Sequence, residues 1–105
     1  MINVYELSEI ESPDKYIQQL SWSNLWYEDL NEAGVSKVFF AFEDDGDEVV
    51  AFQTVSSDDL CVAIETKDGF TGKGAARSLI EESNCWKPER NECPDFWAHI
   101  AEDFE

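Results

Sequence analysis

Apolar positions change period several times along this chain, and each change marks an element. Ile2 to Leu7 reads as a short strand. Ser12-Pro13-Asp14 is a helix start: Ser12 can accept from free N–H groups, Pro13 sits where its missing N–H costs nothing, and Asp14 suits the positive helix end. Tyr16, Ile17 and Leu20 then fall on one helical face. Ser23 is placed to cap a second helix carrying Trp26, Leu30 and Ala33, closed by Gly34.

The middle of the chain switches to strand-like runs. Val38–Phe42 and Val49–Val55 are nearly continuous apolar stretches, and Leu60–Ile64 is a third. Asp45-Gly46 between the first two is a hairpin signal, because glycine takes positive φ freely. Ser56-Ser57-Asp58-Asp59 is a second turn. A three-stranded antiparallel meander follows from this spacing, with the first two, near-continuous apolar strands inside a sheet rather than at an edge. Lys67–Gly74 is a glycine-containing loop and Ala75–Ser83 a helix, broken by Trp86-Lys87-Pro88. Pro94 opens a last helix, Asp95 to about Asp103, with Phe96, Trp97 and Ile100 inward. The expected fold class is α+β: one domain, residues 1–105, with an antiparallel sheet of three or four strands and helices packed on one side.

Charge changes the picture next. The chain has 24 acidic and seven basic residues in 105 positions, for a formal net charge of −17. Solubility needs a net charge of only about 2–8, and self-repulsion opposes compaction. Direct binding to nucleic acid or to an anionic membrane is disfavoured. Disorder is excluded by four Trp, seven Phe and three Tyr, with hydrophobic residues at 43%. No apolar run reaches membrane-spanning length and no signal-peptide pattern opens the chain, so a cytoplasmic protein is expected. Three cysteines fit reduced thiols better than a disulfide framework.

The acids are unevenly placed. Between Val38 and Thr66 stand Glu43, Asp44, Asp45, Asp47, Glu48, Asp58, Asp59 and Glu65, with no basic residue. With Glu102 and Asp103 of the last helix, carboxylates at Glu43–Glu48 and Asp58–Asp59 could stand in for phosphates. In charge and size the chain is similar to phage-encoded inhibitors of host defence, of anti-restriction or anti-CRISPR type, and to nuclease immunity proteins. The leading expectation is therefore a DNA-mimicking inhibitor, without a cofactor, that occupies the basic surface of a nucleic-acid-binding protein.

One loop points elsewhere. In Gly69-Phe70-Thr71-Gly72-Lys73-Gly74-Ala75-Ala76-Arg77, glycines permit close approach of backbone N–H groups to an anion, and the following helix aims its positive end the same way. Lys67, Lys73 and Arg77 lie beside it. It is not a P-loop, since no Ser or Thr follows Gly72-Lys73. Gly72-Lys73-Gly74-Ala75-Ala76-Arg77-Ser78-Leu79-Ile80-Glu81-Glu82 resembles the acetyl-CoA loop and helix of the GNAT N-acetyltransferases. Gly74 and Ala76 match the last two fixed positions of that family's Gln/Arg-x-x-Gly-x-Gly/Ala pattern, and Thr71 stands where the family has Arg or Gln. The resemblance covers roughly residues 1–84 and implies a shortened GNAT-like fold. It also implies acetyl-CoA held by Thr71, Gly72, Lys73, Gly74, Ala75, Ala76 and Arg77, with acetyl transfer to an amine as the alternative activity. No catalytic base stands in a matching pattern. Cys61, Cys85, Cys93 and His99 lack a Cys-x-x-Cys knuckle, which argues against zinc.

Overall fold

The computed structural model describes residues 1–26, 30, 34–44 and 46–104. Four strands, β1 (Ile2–Glu6), β2 (Val35–Glu43), β3 (Val49–Ser56) and β4 (Cys61–Thr66), form one antiparallel sheet in sequence order. Helix α1 (Pro13–Ile17) follows β1 and runs into a 3-10 turn at Gln18–Trp22. Helices α2 (Ala75–Ser83) and α3 (Pro94–Phe104) follow the sheet.

Period-2 alternation divides β2 between two cores. Val38, Phe40 and Phe42 join Leu20, Val49 and Phe52 on one face, where Tyr16, Ile17, Trp22, Trp26 and Leu30 pack against them. Phe39 and Ala41 join Ala51 and Val55 on the other, against Leu79 and Ile80 of α2 and Trp97 and Ile100 of α3. The α+β reading with an antiparallel sheet is correct, but the expectation of helices on one side is not. Every residue of β3 is buried, and a strand apolar on both sides needs cover on both.

β3 also buries one long polar side chain. Gln53, 0% exposed, donates through Nε2 to the Cys85 carbonyl at 3.1 Å and accepts at Oε1 from Ser83 Oγ at 2.7 Å. These bonds fasten the end of α2 to the sheet centre. That helix stops at Asn84, which is left-handed at φ 56 and donates to the Ile80 carbonyl at 2.8 Å.

Local details differ from expectation in two places, and a third falls mostly outside the described residues. Ser12 is the N-cap of α1, yet its side chain makes no capping bond. Ser23 Oγ accepts from Leu25 N at 3.1 Å, but most of the helix expected after it, residues 27–29 and 31–33, lies outside the described residues, as does Tyr27. In the β2–β3 loop Asp45 is likewise outside them. Among the described residues of that loop Asp44 is left-handed, at φ 51, and Gly46 is not. Asp tolerates that region. At 46 a side chain would be tight: a Cβ there would sit 3.0 Å from the Glu43 carbonyl oxygen.

Candidate functional site

β4 closes the sheet on one side, and hydrogen bonds fix which of its main-chain groups face outward. Lys67 N donates to the Val50 carbonyl, so position 67 bonds towards β3. Thr66 and Ile64, opposite Ala51 and Gln53, therefore turn their N–H and C=O groups to the outer edge. The register then slips at Val62: Thr54 pairs with Ala63 and Val55 with Cys61. This bulge leaves Cys61 facing outward as well.

Only Cys61 finds a partner there among the described residues. Its N–H donates to the Lys87 carbonyl and its carbonyl accepts from Glu89 N, both at 2.8 Å, forming a parallel bridge opposite Pro88. Past that point the two segments diverge. A cleft of about 250 Å³ opens between them, lined by Cys61–Ile64, by Leu25, by Pro88, Arg90 and Glu92, and by Cys93 and Trp97. Bulges of this kind occur beside active sites, where they re-aim the chain.

Two groups near this edge were not legible as functional in the sequence. Pro88 reads as a breaker, although the bridge uses only the groups of Lys87 and Glu89. Glu65 was one acid among 24. It is half-buried on β4, next to Ile64 of the cleft, and its Oε2 accepts a hydrogen bond from Ser23 Oγ. A carboxylate in an otherwise uncharged strand was the available signal.

The glycine loop leaves the far end of β4. Gly72 and Gly74 are left-handed at φ 81 and φ 83, and a Cβ at either would meet no atom within 4 Å. Gly74 is the N-cap of α2 and supplies no side chain. The first bond of the helix is Ser78 N to the Gly74 carbonyl, so the amides of Ala75, Ala76 and Arg77 precede the helical ladder. The expected cations are present and ion-paired. Lys73 Nζ lies 3.2 Å from Glu43, Lys67 Nζ 2.5 Å from Glu48, and Arg77 reaches both Asp103 at 2.5 Å and Glu81 at 3.4 Å. The hydrogen bond and charge of Asp103 hold Arg77 above the ordinary arginine range.

These pairs also dismantle the expected row of carboxylates. Glu43, Asp47, Glu48 and Asp103 each face a basic side chain of the same chain. Asp44 and Asp58–Asp59 lie beyond opposite ends of β3, about 25 Å apart at strand rise. Asp59 is a left-handed turn residue whose carbonyl accepts from Cys85 Sγ at 3.2 Å. Glu102 sits 4.0 Å from His99 on the exposed face of α3. Trp22 is half-buried against Phe52. The cysteines and His99 do not converge: no group able to hold a metal occurs among the described residues. No helix there is long and apolar enough to cross a membrane.

No family model and no curated protein matches the sequence. Solved structures do. The fold is similar to a GNAT-family acetyltransferase from Streptococcus pneumoniae TIGR4, with a TM-score of 0.59 and 18% identity over 100% of this chain and 88% of that one. It is also similar to a ribosomal-protein-alanine N-acetyltransferase from Brucella melitensis biovar Abortus 2308, with a TM-score of 0.50 and 16% identity over 98% and 89%. The chain has a GNAT-like fold, and the likeness runs past residue 84 over the whole chain. The expectation of a DNA-mimicking inhibitor is corrected by this: its structural neighbours are acetyltransferases, and its acids form no continuous row.

Proposed function

We propose that this chain binds an acyl-coenzyme A and transfers the acyl group to an amine. The observation that carries the reading is the open edge of β4 beside the cleft, in a fold shared with acetyltransferases. The residues present suit the coenzyme. Outward N–H and C=O groups of Ile64 and Thr66 offer donors and acceptors to an extended arm containing amides, as a strand edge does for a peptide. The left-handed Gly72 and Gly74 and the uncapped start of α2 suit a pyrophosphate, with Lys73 and Arg77 supplying the positive charge. Thr71 contributes a hydroxyl in place of a cation.

Bound coenzyme supplies an activated thioester. The chain must then orient the amine and receive its proton. Glu65, next in sequence to Ile64 of the cleft wall and held by Ser23, is the acceptor assigned to that proton, and Glu92 is the carboxylate on the cleft lining itself. Leu25 and Trp97 line the cleft and help to exclude water from it.

Calorimetric titration with acetyl-CoA tests the reading. Saturable heat is expected with the wild-type chain, and its loss in Gly74→Val. Absence of both heat and a thermal shift with the wild type overturns it.

A further inference from the structure

A second concavity lies at the other side of the sheet, away from β4. It is enclosed by β1, α1 and the β2–β3 loop and measures about 330 Å³. Three aromatic rings form its wall. Phe42 is buried at the base, Tyr16 meets it edge-on at a centroid distance of 5.2 Å, and Tyr5 stands 6.0 Å away, tilted by 57°. Tyr5 is 48% exposed, an apolar ring left in water at the mouth. Glu9, Asp44 and Asp47 share the rest of the lining with Asn3, Ile10 and Gly46, and Asp44 Oδ1 already accepts from the amino-terminal ammonium of Met1 at 3.0 Å.

This composition selects its ligand. Three carboxylates repel anions and penalise a neutral apolar guest by their desolvation. A compact metal ion wants converging oxygens, and no such group exists among the described residues. A cation of low charge density suits both parts, since aromatic faces attract it through the ring quadrupole and carboxylates neutralise it. The protein already seats such a group at the rim: Lys15 Nζ lies 5.3 Å from the Tyr16 ring centroid and 3.7 Å from Asp47 Oδ2. Both partners of that ammonium line the pocket.

We propose that the pocket walled by Tyr5, Tyr16 and Phe42 binds a small organic ammonium ion, with Asp44 and Asp47 as counter-charges. This site is separate from the β4 edge and stands whether or not acyl-coenzyme A binds there.

The test is an NMR titration of the full chain with tetramethylammonium chloride, with sodium chloride at equal ionic strength and tert-butanol as controls. Saturable shifts at the Tyr5 and Tyr16 rings are expected with the ammonium ion alone. Lys15→Ala removes the resident competitor and should tighten binding about two- to fivefold. Lys87→Ala makes the same charge change at the opposite end of β4, beside the Cys61–Pro88 bridge, and should leave it unaltered. Tyr16→Leu should abolish the shifts at Tyr5; if that variant melts early, the exposed Asp47→Asn gives the same reading by weakening binding. Equal shifts with either control, failure to saturate, or an equal gain in Lys87→Ala overturns the proposal.

Discussion

Lys73 Nζ lies 3.2 Å from Glu43, so the glycine loop is tied by its own lysine to the end of β2. An incoming phosphate has to compete with that carboxylate. Exposed pairs are worth at most about 1 kcal/mol, so the competition is modest. Glu43→Gln should strengthen coenzyme A binding by up to about fivefold, read as Kd by calorimetry. A weaker complex in that variant would show that Lys73 is not used for the phosphates.

Glu65 offers a separation of binding from chemistry. Glu65→Gln keeps the hydrogen bond to Ser23 within reach and removes the proton acceptor. Release of free thiol from acetyl-CoA over a panel of amines should fall about a hundredfold or more, with coenzyme affinity unchanged. Equal rates for both proteins would remove Glu65 from the assigned role.

Burial pushes the Cys85 thiol up to about 11, with a smaller contribution from the charge of Asp59. A raised folded value favours the protonated thiol in the native state. Its contribution is therefore full below the unfolded value near 9 and is lost as pH rises towards 11. The loss is of order 2 kcal/mol by the linkage relation. Urea unfolding of wild type and Cys85→Ala between pH 8 and 11 should show a fall attributable to this thiol only in the wild type. Cys93, exposed, should react with thiol reagents well before Cys85, which is 2% exposed.

Gln53 sits at the centre of the sheet with Ser83 and the Cys85 carbonyl as partners. Gln53→Leu leaves both without their bond in a buried setting, at a cost of about 1–3 kcal/mol. Adding Ser83→Ala should recover part of this, measured as a chemical-denaturation midpoint. Strict additivity of the two changes would mean that the pair is not coupled.

Gly74→Ala meets no neighbour, so only the left-handed backbone opposes it. A cost of about 1 kcal/mol is expected, seen as a lower melting temperature of the unliganded chain.

Much of this architecture could be read from the chain because its information is local. Alternation through Phe39–Phe42 and the turn residues at 56–59 specify the meander, and Ala75–Ser83 is bounded as the sequence suggested. Pairing of β1 with β2, Val4 opposite Ala41, joins residues far apart in sequence, and no pattern within either segment specifies it. The Cys61–Pro88 bridge was hidden for a different reason. Proline reads as an interruption, yet a parallel bridge draws on the residues flanking the bridged one, so the absent N–H costs nothing. Of the candidate site, the glycine loop was visible through its unusual backbone needs. Glu65 was not, because a carboxylate gains meaning from its depth and its partner. The acid-rich composition pointed away from the fold for the same reason: a count of charges does not reveal that Glu43, Glu48 and Asp103 already face Lys73, Lys67 and Arg77.

The Cys61 bridge also has a mechanical meaning. Residues 89–93 form a strap over the cleft, pinned at one end by two main-chain bonds and at the other by Trp97 and Ile100 of α3 in the core. The width of the opening is thus set by the length of five residues rather than by the sheet. Inserting or deleting one residue between Glu89 and Cys93 would resize the cleft while leaving every strand in register.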